Sequence, residues 1–217
     1  MKKTILRLVR LIFGLFLYAL GIVITIKANI GYSPWDAFHS GISNTIDITM
    51  GIASIMTGLV IIMIAAIMGE KIGIGTILNM FLIGIFFDMI NNSYLIPTTD
   101  NFIIGIGSMM IGLFVIAFAS YFYIGSGFGA GPRDSLMVSL SRKTKFPIGV
   151  CRSAIEVFVV IIGYFLGGMV GIGTVLATFA IGICVQIVFG ILKFDVTKVK
   201  HETLKDTYLA LFFNENI

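Results

Sequence analysis

Predominantly apolar stretches recur six times along the chain, near positions 5–27, 50–68, 72–91, 103–124, 147–167 and 171–192. Bilayer hydrocarbon is about 30 Å thick and an α-helix rises about 1.5 Å per residue, so about 20 apolar residues cross it. Each stretch therefore predicts one membrane-spanning helix. The polar positions between them fall in short loops and leave no segment large enough for a separate soluble domain. Any chemistry has to take place inside the helical bundle or at its edge.

The pattern is duplicated. Gly31-Tyr-Ser-Pro34-Trp-Asp36 returns 98 positions on as Gly129-Ala-Gly-Pro132-Arg-Asp134, and Gly73-Ile-Gly-Thr76 returns as Gly171-Ile-Gly-Thr174 in the same register. Gly14, Gly51, Gly69 and Gly84 fall on Gly112, Gly149, Gly167 and Gly182 without a gap. Three spans per copy is an odd number, so the second copy enters the membrane with the opposite orientation. The expected fold is an all-α membrane protein of six transmembrane helices, arranged as two inverted three-helix repeats. A short Pro-x-Asp helix follows the first span of each repeat. Residues 1–92 form repeat one, 93–102 the linker, 103–192 repeat two and 193–217 a cytoplasmic tail. In the tail, Leu204, Tyr208, Leu211 and Phe212 recur at helical spacing, which predicts a short helix on the inner membrane surface, with a frayed end as the alternative.

Composition agrees with the bilayer as solvent: 58% of the 217 residues are hydrophobic and 12% charged, with a mean hydropathy of +1.04. The net charge of +4 carries no nucleic-acid reading, because the basic residues sit at span ends. Lys2, Lys3, Arg7 and Arg10 precede the first span, and Asp36 and Asp47 follow it. Alternating onward, Arg133, Arg142, Lys143 and Lys145 fall on the same side as the N-terminus, as do Lys193, Lys198 and Lys200. The positive-inside rule thus predicts a plasma-membrane protein with both termini cytoplasmic. The first apolar stretch is long for a cleavable signal and reads as a retained span.

Gly-x-(Ser/Gly)-Pro-x-Asp is a helix start: proline suits the first helical position, and an acid two residues later can meet free backbone N–H groups. The same exposed N–H groups and dipole suit an anionic group, so Pro34, Asp36, Pro132 and Asp134 read either as caps or as path residues. Trp35 stands where the second copy has Arg133, an interfacial anchor on one reading and the opposite wall of a path on the other. Arg133 adjoins Asp134 and makes that acid the more sensitive of the pair. Gly73, Gly75, Thr76 and Gly84, with Gly171, Gly173, Thr174 and Gly182, predict close helix packing and hydroxyl bonds across helices. Their Gly-x-Gly spacing is not a dinucleotide loop, because no strand precedes it.

Ionisable groups within spans are costly and are functional candidates. Glu156 lies in the fifth span one turn after Arg152, where the two can pair, and its counterpart is Gly58. It reads as a proton site or as a structural ion pair. Asp88 and its counterpart Gln186 mark polar cavity walls or span ends, His39 has no neighbouring histidine or cysteine for a metal, and His201 in the tail is uninformative. Cys151 and Cys184 read as small core residues. No cofactor is expected.

With its paired Pro-x-Asp segments and Gly129-Ala-Gly-Pro-Arg-Asp-Ser-Leu-Met137, the chain resembles the bacterial YczE/YyaS/YitT group of integral membrane proteins, nearest its YczE-like branch. Ser33 departs from the glycine of the second copy. The resemblance implies a membrane bundle in a largely uncharacterised group whose suspected activity is transport, and it carries over no catalytic residues.

The leading expectation is a small secondary transporter or channel for a polar or anionic metabolite, partnered by the lipid bilayer and a small polar substrate. The alternatives are the substrate-binding subunit of an ATP-driven transporter and a non-transporting partner of another membrane protein, with a homo-oligomer open in each case. An enzyme is not expected, since no nucleophile and base, or metal set, stands out.

Overall fold

Apolar stretches bounded by capping residues become helices, and the chain supplies such boundaries repeatedly. The structure, a computed structural model, describes residues 2–195, 198–199, 201–204 and 206–207. Among them are eight helices: α1 (Lys2–Lys27), α2 (Pro34–Ile46), α3 (Met50–Ile67), α4 (Ile74–Asn92), α5 (Phe102–Ile124), α6 (Pro132–Thr144), α7 (Ile148–Phe165) and α8 (Ile172–Ile191). Thr49 caps α3 by accepting from the Ile52 N–H at 3.1 Å, and Asn101 caps α5 through Ile103 and Ile104. α4 and α8 start alike, with the N–H of Gly73 or Gly171 donating to the hydroxyl of Thr76 or Thr174. Thr76 also donates across to the Ala130 carbonyl at 2.6 Å, whereas the Thr174 hydroxyl bonds within its own turn.

α1, α3, α4, α5 and α8 are long and apolar enough to cross a membrane. α6 and α7 are joined through a bend of 120°, and together they make the sixth candidate crossing. Large apolar side chains such as Val60, Ile64, Phe158, Ile161, Phe179 and Ile183 stand exposed on the outside. That is where lipid, rather than water, meets a membrane bundle.

The same backbone bends recur 98 positions apart. Positive φ angles fall on Asn29 and Gly127, Gly31 and Gly129, Asp47 and Lys145, and Gly69 and Gly167. At Gly31 and Gly129 φ is 118° and 121°, a region closed to residues with a Cβ. A side chain there would also strike backbone, Gly171 in the first case and Gly73 in the second.

α1 and α5 pack against each other at the centre, α4 lies on α1 and α8 on α5. Lipid tails are as apolar as leucine, so helices associate by close packing and interhelical bonds. Accordingly Gly14 sits on the backbone of Ala119 and Tyr123, and Gly21 on that of Gly112. The halves are also tied crosswise: Gly75 N–H donates to the Phe128 carbonyl at 2.8 Å and Gly173 N–H to the Ile30 carbonyl at 2.7 Å.

Loops collect at two ends. At one, Arg7 bonds the Ser126 carbonyl and Glu202, Glu202 N–H bonds the Gly127 carbonyl, Leu204 N–H bonds the Ile72 carbonyl and Arg142 pairs with Glu70. At the other, Tyr32 N–H bonds the Met169 carbonyl, Asn44 the Gly167 carbonyl and Thr99 N–H the Lys27 carbonyl. Of the helix expected in the tail, Leu204 is described, while Tyr208, Leu211 and Phe212 lie outside the described residues.

Candidate functional site

Both Pro-x-Asp helices begin as their sequence dictates, with proline in the first turn after an extended residue, Ser33 at φ −61°, ψ 159° and Gly131 at φ −62°, ψ 159°. Both helices pack against spans of the bundle. α2 is buried along Pro34, Trp35, Asp36, Ala37, His39 and Ser40 and packs on α7, where Gly163 meets the Phe38 backbone. α6 packs on α3.

Two cavities of about 80 Å³ each lie between these helices and the central pair. A water needs about 10–15 Å³ measured this way, so each has room for several. The first is lined by His39, Ser54, Thr57, Asn79, Tyr123, Pro132 and Asp134, the second by Ser33, Pro34, Trp35, Asp36, Arg152, Glu156 and Thr178. Tyr18, Ile22 and Arg133 border both and form the partition. Each cavity receives the N-terminal end of one Pro-x-Asp helix.

At the partition the guanidinium of Arg133 lies over the Trp35 ring, 4.7 Å from its centroid. These are equivalent positions of the two copies, and the fold brings them into contact. Trp35 is 6% exposed, buried within the bundle. The expected pairing of Arg133 with its neighbour Asp134 is not formed: Arg133 takes part in none of the close ion pairs among the described residues, and its charge acts on Asp36 as well as Asp134. The guanidinium thus stacks on the ring while lying within the field of both acids.

Asp36 accepts from the Ser33 hydroxyl rather than from backbone N–H groups, and its Oδ1 lies 4.0 Å from His39 Nδ1. Asp134 is open to the first cavity, beside Gly131 and the Tyr123 hydroxyl. Arg152 Nε donates to Glu156 Oε1 at 2.8 Å, the pair expected from their spacing, and Glu156 is 9% exposed. His39 Nε2, Trp35 Nε1 and Thr57 Oγ1 are buried without a hydrogen-bond partner among the described residues. A buried polar group left so costs about 1–3 kcal/mol, which a polar guest would recover. Two arginines here meet three acids.

Asp88 and Gln186 are not part of this cluster. Asp88 holds the start of α3, accepting from the Thr49 hydroxyl and from Gly51 N–H at 3.0 Å, and Gln186 is exposed on α8. The glycines of the Gly-x-Gly-Thr segments pack on the loops that lead into α2 and α6. His201 bears on the site: burial pushes its imidazole below the ordinary value, opposed by the charge of Asp134. Tyr18, Thr57, Asn79, Tyr123 and Thr178 were not picked out from sequence. Their signal was present as isolated polar groups inside apolar spans. Cys151 and Cys184 are buried free thiols.

The lining is drawn from nearly the whole bundle, and so is the match to known proteins: a family of unknown function, DUF6198, covers residues 5–189. The chain belongs to this family. Among similar proteins, the uncharacterized membrane protein YczE of Bacillus subtilis (strain 168) is 33% identical over 175 residues, 80% of each chain. An uncharacterized protein of Haemophilus influenzae is 32% identical over 182 residues, 84% of this chain and 83% of that one. YyaS of Bacillus subtilis is 28% identical over 169 residues, 75% and 82% of the two chains. No solved structure matches. The DUF6198 segment includes both Pro-x-Asp helices and both cavities and stops short of the tail that carries His201.

Proposed function

We propose that this DUF6198 protein is a small secondary transporter of the bacterial plasma membrane that carries a polar or anionic metabolite through the paired cavities. It carries out no covalent chemistry on its substrate. Its halves are related by inversion about an axis in the membrane plane, and both termini are cytoplasmic. The observation that carries the reading is the stack of Arg133 on Trp35, equivalent positions of the two copies, with a polar cavity on each side. Discontinuous helices whose N-termini meet near the bundle centre are how transporters with repeats build their sites. Arg133 is the group that an anionic or strongly polar solute meets from either cavity.

The charge count supports coupling. Charge within a bundle is tolerated when balanced, and here the cavities are lined by three acids and two arginines. The surplus acid takes a proton, which lets an anion travel with its countercharge. The test is uptake of a panel of labelled polar metabolites by cells lacking or overproducing the protein, and by proteoliposomes. At least one solute should accumulate in proportion to the protein and collapse with the pH gradient. Equal accumulation across the whole panel with and without protein would remove the reading.

A further inference from the structure

The two halves differ most where α3 meets α4 and where α7 should meet α8. In the first half Gly51 and Gly84 cross in contact: a Cβ on Gly84 would meet the Gly51 carbonyl oxygen at 2.6 Å, and one on Gly51 would strike the Gly84 carbonyl. Farther along the same seam Gly58 lies on Met80. The seam is fastened by Asp88, which bonds the first turn of α3.

Each of these parts has its counterpart 98 positions on, in Gly149, Gly182, Gln186, Glu156 and Thr178. In the second half they are apart. Among the described residues nothing lies within 4 Å of a Cβ placed on Gly149 or on Gly182, both are exposed, and α7 does not pack along α8 as α3 does along α4. α7 begins after Pro147, which has no side-chain cap to offer, so its first turn lacks the fastening that Thr49 and Asp88 give α3. The second cavity lies where the seam is parted, with Glu156 and Thr178 on facing walls.

We infer that α7 and α8 form a gate, and that α7 closes onto α8 by bringing Gly149 against Gly182. The Gln186 side-chain carbonyl then accepts from the first turn of α7, as Asp88 does for α3. Glu156 comes against Thr178, and the second cavity shuts. α3 and α4, sealed by a charged cap and by Met80 over Gly58, are the fixed wall. A seam in lipid gains nothing from hydrophobic burial, so polar bonds and small-residue contact decide its equilibrium. Neutral Gln186 in place of Asp88 makes this the weaker fastening, which suits a part that has to reopen. As the gate of a solute path it rests on the transport reading above, although its evidence is the unmade seam itself.

A disulfide needs Cβ atoms about 3.8 Å apart, and no atom of the described residues lies that near to either position here. In a chain with Cys151→Ala and Cys184→Ala, the double variant Gly149→Cys/Gly182→Cys in native membranes should therefore cross-link within the chain under copper phenanthroline only if the gate closes. Most of the protein is expected to link, seen as joined peptides by mass spectrometry. A second measurement uses Thr178→Cys in the same background, labelled by a charged thiol reagent. Gly149→Leu, whose Cβ meets no described residue in the open arrangement, should block closure and speed labelling at least threefold. No cross-link together with an unchanged labelling rate overturns the gate. Cross-linking without uptake of any solute keeps the gate and removes the transport reading, and uptake without either gate signal does the reverse.

Discussion

α2 and α6 are the same helix built twice and put to different use. Each has 13 residues, starts on proline after an extended residue, carries an aspartate in its first turn and ends on a left-handed residue, Asp47 or Lys145. Their surroundings differ. α2 is buried along most of its first two turns, its Ser33 hydroxyl bonding Asp36, whereas α6 opens Asp134 to a cavity and carries Arg142 and Lys143 in its last turn. Backbone turns that only glycine or proline can make are shared, while side chains that only chemistry requires have diverged. A duplicated scaffold thus gains chemical direction without giving up its geometry.

The comparison is broken first at the shared turns. Gly31→Ala and Gly129→Ala each place a Cβ at positive φ and against backbone or a buried hydroxyl. Strain of about 1–2 kcal/mol and overpacking of about 1–3 kcal/mol add in each case. Both variants should lose most of their folded yield, read by thermal melting in detergent, and a tolerant member of the pair would show that the two turns are not equivalent. Next comes the diverged chemistry. Glu156→Gln should abolish uphill accumulation while solute exchange persists, because a carboxamide cannot carry the proton; undiminished accumulation would exclude this role.

Asp36→Asn and Asp134→Asn should each cost at most about 1 kcal/mol of stability, since neither carboxylate caps its helix and asparagine is nearly the same size. Uptake per folded molecule should fall several-fold, and by similar factors, because Arg133 lies within the field of both acids. Wild-type uptake in both would reduce the motif to a helix start. The smallest effect is expected from Trp35→Phe, which keeps a six-membered ring beneath Arg133 while losing the indole N–H and the rest of the bicycle. Affinity for solute should weaken two- to threefold, whereas Trp35→Ala, which removes the stack, should weaken it further.

The apolar helices were legible because runs of bilayer length have few other meanings, and the recurring turns because glycine at a forced turn is hard to replace. Arg152 with Glu156 was legible for the same local reason, one helical turn between opposite charges. The meeting of Trp35 with Arg133 was not. It depends on how two halves dock, and no spacing along the chain encodes a contact between residues 98 positions apart. Asp88 showed the limit in the other direction: a buried-span acid suggested a path, and the fold spends it on fastening α3. His201 lay ahead of the tail's helical spacing and outside it, and only the return of that tail to the Gly127 loop gives it a neighbour in Asp134.

The crosswise bonds from Gly75 to Phe128 and from Gly173 to Ile30 bear on how the chain is made. During synthesis α4 is inserted before its acceptor carbonyl exists, because Phe128 follows α5. The first half therefore waits in the bilayer with an unanswered N–H, and it is finished only when the second half arrives to complete it and be completed in turn. Two fragments divided within 93–102 and made in the same cell should accordingly rescue each other, while either alone is cleared by membrane proteases.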